Sequence, residues 1–221
     1  MLVIVHRRDQ IQHKYFEPLF EWASTVQRYS FVEDNINNLI PALPIQNNDQ
    51  SINLNSSGFA PQTAITIFRH GSKELGPKYE AAIIADFAAI GYKCEKIDIT
   101  PITFPGLPEP LPPPMFPMGQ VPAVLTVKEV ELPFPTQQQQ MSAGMFRALC
   151  LLINLNYIFL SEKKPTIFID DIGEGLDFER SKILIKLLIK KCAANGVQLI
   201  MSTYLLTPRL IGSGSGSENF S

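Results

Sequence analysis

The sequence predicts an α/β fold, with a parallel sheet flanked by helices and an irregular arm in front of it. Three observations lead there. From Met141 onward the apolar pattern alternates helix, strand, helix, strand, and a helix between two short apolar strands makes a crossover connection and a parallel pair. The chain has 221 residues and is 45% hydrophobic, enough for one sizeable core. By contrast, "NNLIPALPIQNNDQSINLNSSG" is rich in Asn, Ser and Gln and lacks either period, as a loop or loose arm does.

These patterns divide the chain into four parts: an N-terminal arm over 1–62, an α/β segment over 63–122, the main α/β region over 123–210, and a Gly/Ser-rich tail over 211–221. Within the arm, "LVIV" reads as a short strand and "EPLFEWASTVQRYS" as an amphipathic helix. In the second part, "TAITIF" reads as a strand, "KYEAAIIADFAAIG" as a helix ended by Gly91, and "YKCEKIDIT" as an alternating strand. Pro101 to Pro122 then holds nine of the chain's 18 prolines. Proline lacks a backbone donor, so this segment is expected to be neither helix nor central strand. It is either an ordered extended connection or a proline-rich ligand for another domain.

"AVLTVKEVELPF" restores a strand, and the polar "TQQQQ" leads into a long apolar helix that Ser142 can cap and that runs to about Ser161. Arg147, Asn154 and Asn156 interrupt that helix, and it is shorter than the roughly 20 residues a bilayer needs, so it is expected to be a buried core helix. Pro165 precedes the strand "TIFID". A second helix, from about Phe178 to Ala194, carries Lys182, Lys186 and Lys190 on one face and stops at Asn195-Gly196, before the strand "VQLIMST".

Charge and cysteine usage narrow the setting. A net charge of -2 and a pI near 5.9 leave no global footprint for nucleic acid. Cys94, Cys150 and Cys192 are odd in number, far apart and set among apolar residues, as buried thiols of a reducing compartment are. The apolar run "LVIV" is too short for a signal peptide's core of at least about seven residues, so a cytoplasmic protein without a membrane partner is expected. His6, His13 and His70 lack metal-ligand spacing and are expected to be surface or structural residues.

The carboxyl end of a strand in a parallel sheet is where ligands bind, and Asp170 and Asp171 end "TIFID". Alone, that pair is as often a solvated strand end as a site. Its neighbours add weight. "MSAGMFRAL", then "TIFIDDIGEGLD", then "QLIMST" resemble, in order and spacing, the second lobe of an ABC-type ATPase head, with its signature motif, Walker B strand, D-loop and the strand leading to the switch residue. The chain is most similar in this to the bacterial AAA ATPases that resemble chromosome-maintenance and recombination-repair ATPases. The resemblance is strong from Val127 to Thr203 and weak from Thr63 to Thr100.

That resemblance implies a P-loop NTPase-like sheet, ATP and Mg2+ as cofactors, and ATP hydrolysis. It also implies a nucleotide site shared with a homodimer or hetero-partner, and a setting in DNA repair or phage defence beside DNA or a nuclease subunit. Ser142 and Gly144 match the signature residues that face the γ-phosphate from a helix N-terminus, although "MSAG" alone is also an ordinary cap. Arg147 stands where several members carry an arginine, for phosphate or simply to bound a buried helix. Asp170 matches the acid that orients Mg2+, and Gly175, Leu176 and Asp177 match the D-loop, where Asp177 can equally cap the next helix.

Asp171 stands where the family has the glutamate that positions the attacking water. One methylene fewer withdraws the carboxylate by roughly 1.5 Å, and a misplacement of about 1 Å costs on the order of 100-fold in rate. Two further departures follow. Tyr204 stands where a histidine or polar sensor is usual, and no stretch reads G-x-x-x-x-G-K-[ST]. The nearest approach, "GSKELGPKY", has Pro77 where an amide is needed and Tyr79 where a hydroxyl residue is needed, so it is expected to be a structural loop. The sequence thus supports an ATPase head or part of one and, alternatively, a non-catalytic subunit whose signature face completes a partner's nucleotide site; both ends favour an incomplete head.

Overall fold

A computed structural model describes residues 16–30, 42–44, 61–102, 120–162 and 164–203. The fold is mixed α/β, with a parallel three-stranded sheet, an antiparallel sheet, and helices packed between and around them. Strand "LVIV", His6, His13, most of the proline-rich stretch, Tyr204 and the Gly/Ser tail lie outside the described residues.

The central element is α4 (Ala143–Leu160), in which every residue from Gly144 to Phe159 is buried. It is the one described helix long and apolar enough to cross a membrane, and 89% of it is covered by the rest of the molecule. Each fully buried leucine or phenylalanine on it contributes about 1.5–3 kcal/mol. The two asparagines inside it are satisfied locally: Asn154 Nδ2 donates to the Cys150 carbonyl at 2.7 Å and Asn156 Nδ2 to the Leu152 carbonyl at 2.9 Å. A buried amide is tolerated when it is hydrogen-bonded.

On one side of α4 lie α2 (Pro61–Leu75) and α3 (Pro77–Ala89). "TAITIF" is therefore the first half of α2 and not a strand. Its β-branched residues favour a strand locally, but Ala64, Phe68, Gly71 and Leu75 recur at helical spacing and Ala64, Phe68 and Gly71 are buried. Tertiary packing overrides the six-residue signal. The loop expected over "GSKELGPKY" is likewise mostly helical, with Gly76 at positive φ forming the hinge between α2 and α3. Gly71 is small for packing, since a Cβ there would lie 2.4 Å from the Tyr79 ring.

Tyr79 itself is fully buried and its hydroxyl donates to the Ile153 carbonyl at 2.8 Å. Tyr79→Phe is expected to cost about 1 kcal/mol in urea unfolding, the net worth of one buried hydrogen bond. Nearby, His70 is structural: it meets Glu74 at 3.0 Å and the edge of Tyr157.

The antiparallel sheet has the order β2 (Ala42–Pro44), β4 (Gln120–Glu129), β3 (Cys94–Pro101), with β5 (Thr136–Gln137) also on β4. The two ends of the proline-rich stretch are drawn into it: Pro101 closes β3, and Pro122 lies near the start of β4, its carbonyl accepting from Ile102 at 2.9 Å. Position near a strand start is what lets Pro122 sit in the middle strand. The boundary at 122/123 thus runs through β4. "TQQQQ" is partly internal, because Gln138 is fully buried and its Oε1 accepts the Leu125 amide at 3.0 Å.

The parallel sheet has the order β1 (Gln27–Ser30), β6 (Thr166–Asp170), β7 (Gln198–Met201), both pairs parallel. The helix expected over "EPLFEWASTVQRYS" stops early: α1 covers Glu17–Thr25, and "QRYS" is β1. Its exposure alternates, with Gln27 and Tyr29 buried and Arg28 exposed, as a strand against a core requires. Between β6 and β7 runs α5 (Phe178–Asn195), capped by Asp177 and closed by Gly196 in the left-handed conformation. Cys94, Cys150 and Cys192 are all buried free thiols, their pKa values pushed up by burial, to about 11 for Cys94 and Cys192.

Candidate functional site

Because β1, β6 and β7 are parallel, their carboxyl ends share one edge, and Asp170 is the last residue of the middle strand. Ser202, directly after β7, organises that edge. Its backbone extends the ladder, donating to the Ile169 carbonyl at 2.9 Å and accepting from Ile172 at 3.0 Å. Its hydroxyl donates to Asp170 Oδ1 at 2.7 Å and accepts the Asp171 amide at 2.9 Å. The other carboxylate oxygen, Oδ2, receives Arg28 Nη2 from β1 at 3.3 Å. The Ser202 hydrogen bond and then the Arg28 contact hold Asp170 below the usual carboxylate range, so it is ionised at neutral pH.

Asp171 is shifted the other way. Lost solvent contact is the first cause, and the negative charges of Asp170 and Glu174 add to it. Its backbone lies at φ 53°, in the left-handed region, which aspartate tolerates better than longer side chains because its short carboxyl can bond locally. An aspartate therefore suits the backbone it sits on. The turn that follows is held by Glu174 N–H to the Asp171 carbonyl at 3.1 Å and Leu176 N–H to the Gly173 carbonyl at 2.9 Å.

This turn ends against the N-terminus of α4. A Cβ on Gly144 would lie 2.1 Å from the Gly175 carbonyl oxygen and 2.4 Å from its carbon, so the two backbones touch and both glycines are required. Arg147 is buried on the same side, its Nη1 3.3 Å from where a Gly175 Cβ would stand. Two stretches 31 positions apart, Gly144 and Gly175, thus meet in space.

Beside them, Ser142 caps α4, its Oγ accepting the Met145 amide at 3.2 Å. Asp177 caps α5 through the Arg180 amide at 2.9 Å and pairs with the Arg180 guanidinium at 2.6 Å. The Arg180 amide and charge keep the Asp177 carboxyl below its ordinary range. Arg180 in turn lies 4.7 Å over the Tyr92 ring, which stacks on Phe87. The Tyr92 hydroxyl pKa is raised, burial outweighing the lowering by Arg180 and by the nearby Ser142 side chain. Ser142, Gly144, Arg147 and Asp177 are therefore neighbours, and the turn over 171–177 joins them to the Asp170–Asp171 edge.

Arg28, Ser202, Tyr92 and Arg180 complete this arrangement and carry no motif of their own. Ser202 alone had a signal, as the polar residue ending "QLIMS" at the edge the aspartates share. As a cation site, the edge offers one ionised, 42% exposed carboxylate oriented by a hydroxyl. Among the described residues no three His, Cys, Asp or Glu side chains cluster as a metal cage. Such a donor set fits Mg2+, which takes one or two carboxylates and draws its remaining ligands from phosphate and water. No protein-family model matches the chain, and a search of curated proteins finds no match to it.

Proposed function

We propose that this chain is the signature-bearing lobe of an ATPase of the ABC-type AAA class, acting on Mg2+–ATP at the edge formed by Asp170, Asp171 and Ser202. The observation that carries this reading is the backbone contact between Gly144 and Gly175. The contact sets the N-terminus of α4 against the turn that leaves the acid pair, which is the arrangement a phosphate-facing helix terminus and the turn after a metal-side acid need.

Bound Mg2+ would supply positive charge against the phosphates, and Asp170 is the residue that would hold it. Ser202 fixes which way Asp170 points. In this reading Asp171, whose carboxyl pKa is raised by lost solvent contact and by the charges of Asp170 and Glu174, would accept a proton from water, although its reach is short. Ser142 and the first amides of α4 offer donors to an anion at a helix N-terminus.

The second reading, a subunit that completes a partner's site, is favoured by one specific observation. The only stretch approaching a phosphate loop is spent on α2, the Gly76 hinge and α3. In that reading the phosphate cradle comes from another chain.

Titration of the full chain with a fluorescent ATP analogue, with and without Mg2+, tests the proposal. Binding is expected to require Mg2+ and to weaken at least about tenfold in Asp170→Ala, the worth of a lost charge-assisted contact. Binding unaffected by both changes would sink it. Binding that appears only with a phosphate-loop ATPase added selects the second reading. Where turnover is measurable, Asp171→Glu is expected to raise it by about tenfold or more through restored reach, less the strain of a longer side chain at positive φ.

A further inference from the structure

We infer that Arg28 is a built-in counter-cation for Asp170, which a divalent cation must displace, so that Arg28 sets how readily the metal binds. The inference rests on the reading of Asp170 as the metal-side acid.

The parallel register of β1 and β6 sets Ser30 opposite Asp170 and Arg28 opposite Phe168, one step back on the same face of the sheet. From there the arginine side chain reaches forward along the sheet to the carboxylate. Asp170 divides its oxygens between two different partners. Oδ1 takes a short bond of 2.7 Å from the neutral Ser202 hydroxyl, which can persist when a cation binds the opposite oxygen. Oδ2 takes one guanidinium nitrogen at 3.3 Å, and that is where a divalent ion would compete.

The Arg28 contact has the features of an exchangeable one. It uses one nitrogen rather than the bidentate fork that makes arginine–carboxylate pairs strong. The Arg28 side chain is 67% exposed, and exposed pairs are weak and screened. Among the described residues no second hydrogen bond or ion pair anchors Arg28. A structural arginine would be expected to carry more than one anchor. The exposed positive charge also repels an arriving divalent ion until it swings away.

Mn2+ binding to the full chain, read by the loss of the free-ion electron paramagnetic signal without nucleotide, separates the possibilities. Arg28→Gln removes the charge and nearly keeps the length; it is expected to bind Mn2+ about two- to fivefold more tightly than the unaltered chain, the equilibrium factor of an exposed ion pair. Arg28→Lys keeps a cation on a similar stem and is expected to stay near the unaltered affinity. Asp170→Ala is expected to lose the site. Equal or weaker binding in Arg28→Gln, with Asp170→Ala still losing the site, would overturn this inference and leave the metal reading standing. Binding that survives Asp170→Ala would overturn both, whereas no binding in any of these proteins would overturn this inference alone, because the metal of the proposed site draws its other ligands from phosphate.

Discussion

Gly144→Ala is expected to lower stability by about 3 kcal/mol, the upper part of what overpacking costs. The midpoint of thermal unfolding should fall by roughly 6–12 °C for a chain of this size. The sign makes this test informative. Gly144 lies in the first turn of α4, and at an unconstrained helical position alanine is better than glycine by up to about 1 kcal/mol. Here the added carbon would stand 2.1 Å from the Gly175 carbonyl oxygen, and backbone cannot swing aside as a side chain can. A midpoint that rises or holds would show that α4 and the 171–177 turn are not packed together. The same substitution should weaken nucleotide binding, because relief of the clash must move either the α4 N-terminus or the turn that follows Asp171.

Much of the fold was readable where pattern and length agreed. "KYEAAIIADFAA", the α4 run and "FERSKILIKLLIKKCAAN" are long enough for a 3.6-residue period to declare itself, and Gly196 marks its helix end by a conformation glycine favours. The stretches whose local pattern misleads are short. "TAITIF" is six residues whose β-branched composition and helical burial point opposite ways, and only the longer stretch to Leu75 decides. "QRYS" is a strand because it pairs with β6, a partner some 140 residues away that no local pattern can reveal.

The site was readable in part for the same reason. Residues within motifs, from Ser142 to Asp177, could be named because their spacing is local. Arg28 and Ser202 reach Asp170 only through the sheet, from |i−j| separations of 142 and 32. Tyr92 and Arg180 meet Ser142 and Asp177 only because α3 ends where α4 and α5 begin. Asp171 shows a further limit. As a letter it says nothing of its backbone, whereas its positive φ gives the aspartate a local physical reason.

Lys191→Met should produce the second large effect, a loss of about 2–3 kcal/mol. Lys191 Nζ is paired with Asp86 Oδ2 and donates to Asn156 Oδ1 at 2.9 Å, while Asn156 Nδ2 donates to Asp86 Oδ2 at 2.7 Å. One residue each from α3, α4 and α5 thus closes a polar triangle. The Asp86 side chain is 8% exposed, so removal of its cation strands a buried carboxylate with one amide for company. Breaking a fully buried pair costs about 3–5 kcal/mol; the lower figure here allows for Lys191 remaining 27% exposed. Asp86→Asn combined with Lys191→Met should recover part of the loss, because no charge is then left buried, and a coupling energy of about 1–2 kcal/mol is expected from the cycle in urea unfolding. A single-variant loss below about 0.5 kcal/mol would place Lys191 among ordinary surface charges. The triangle bears on the site as well as on stability: it anchors the helix whose N-terminus carries Asp177, so loosening α5 should also loosen the turn that Gly144 packs against.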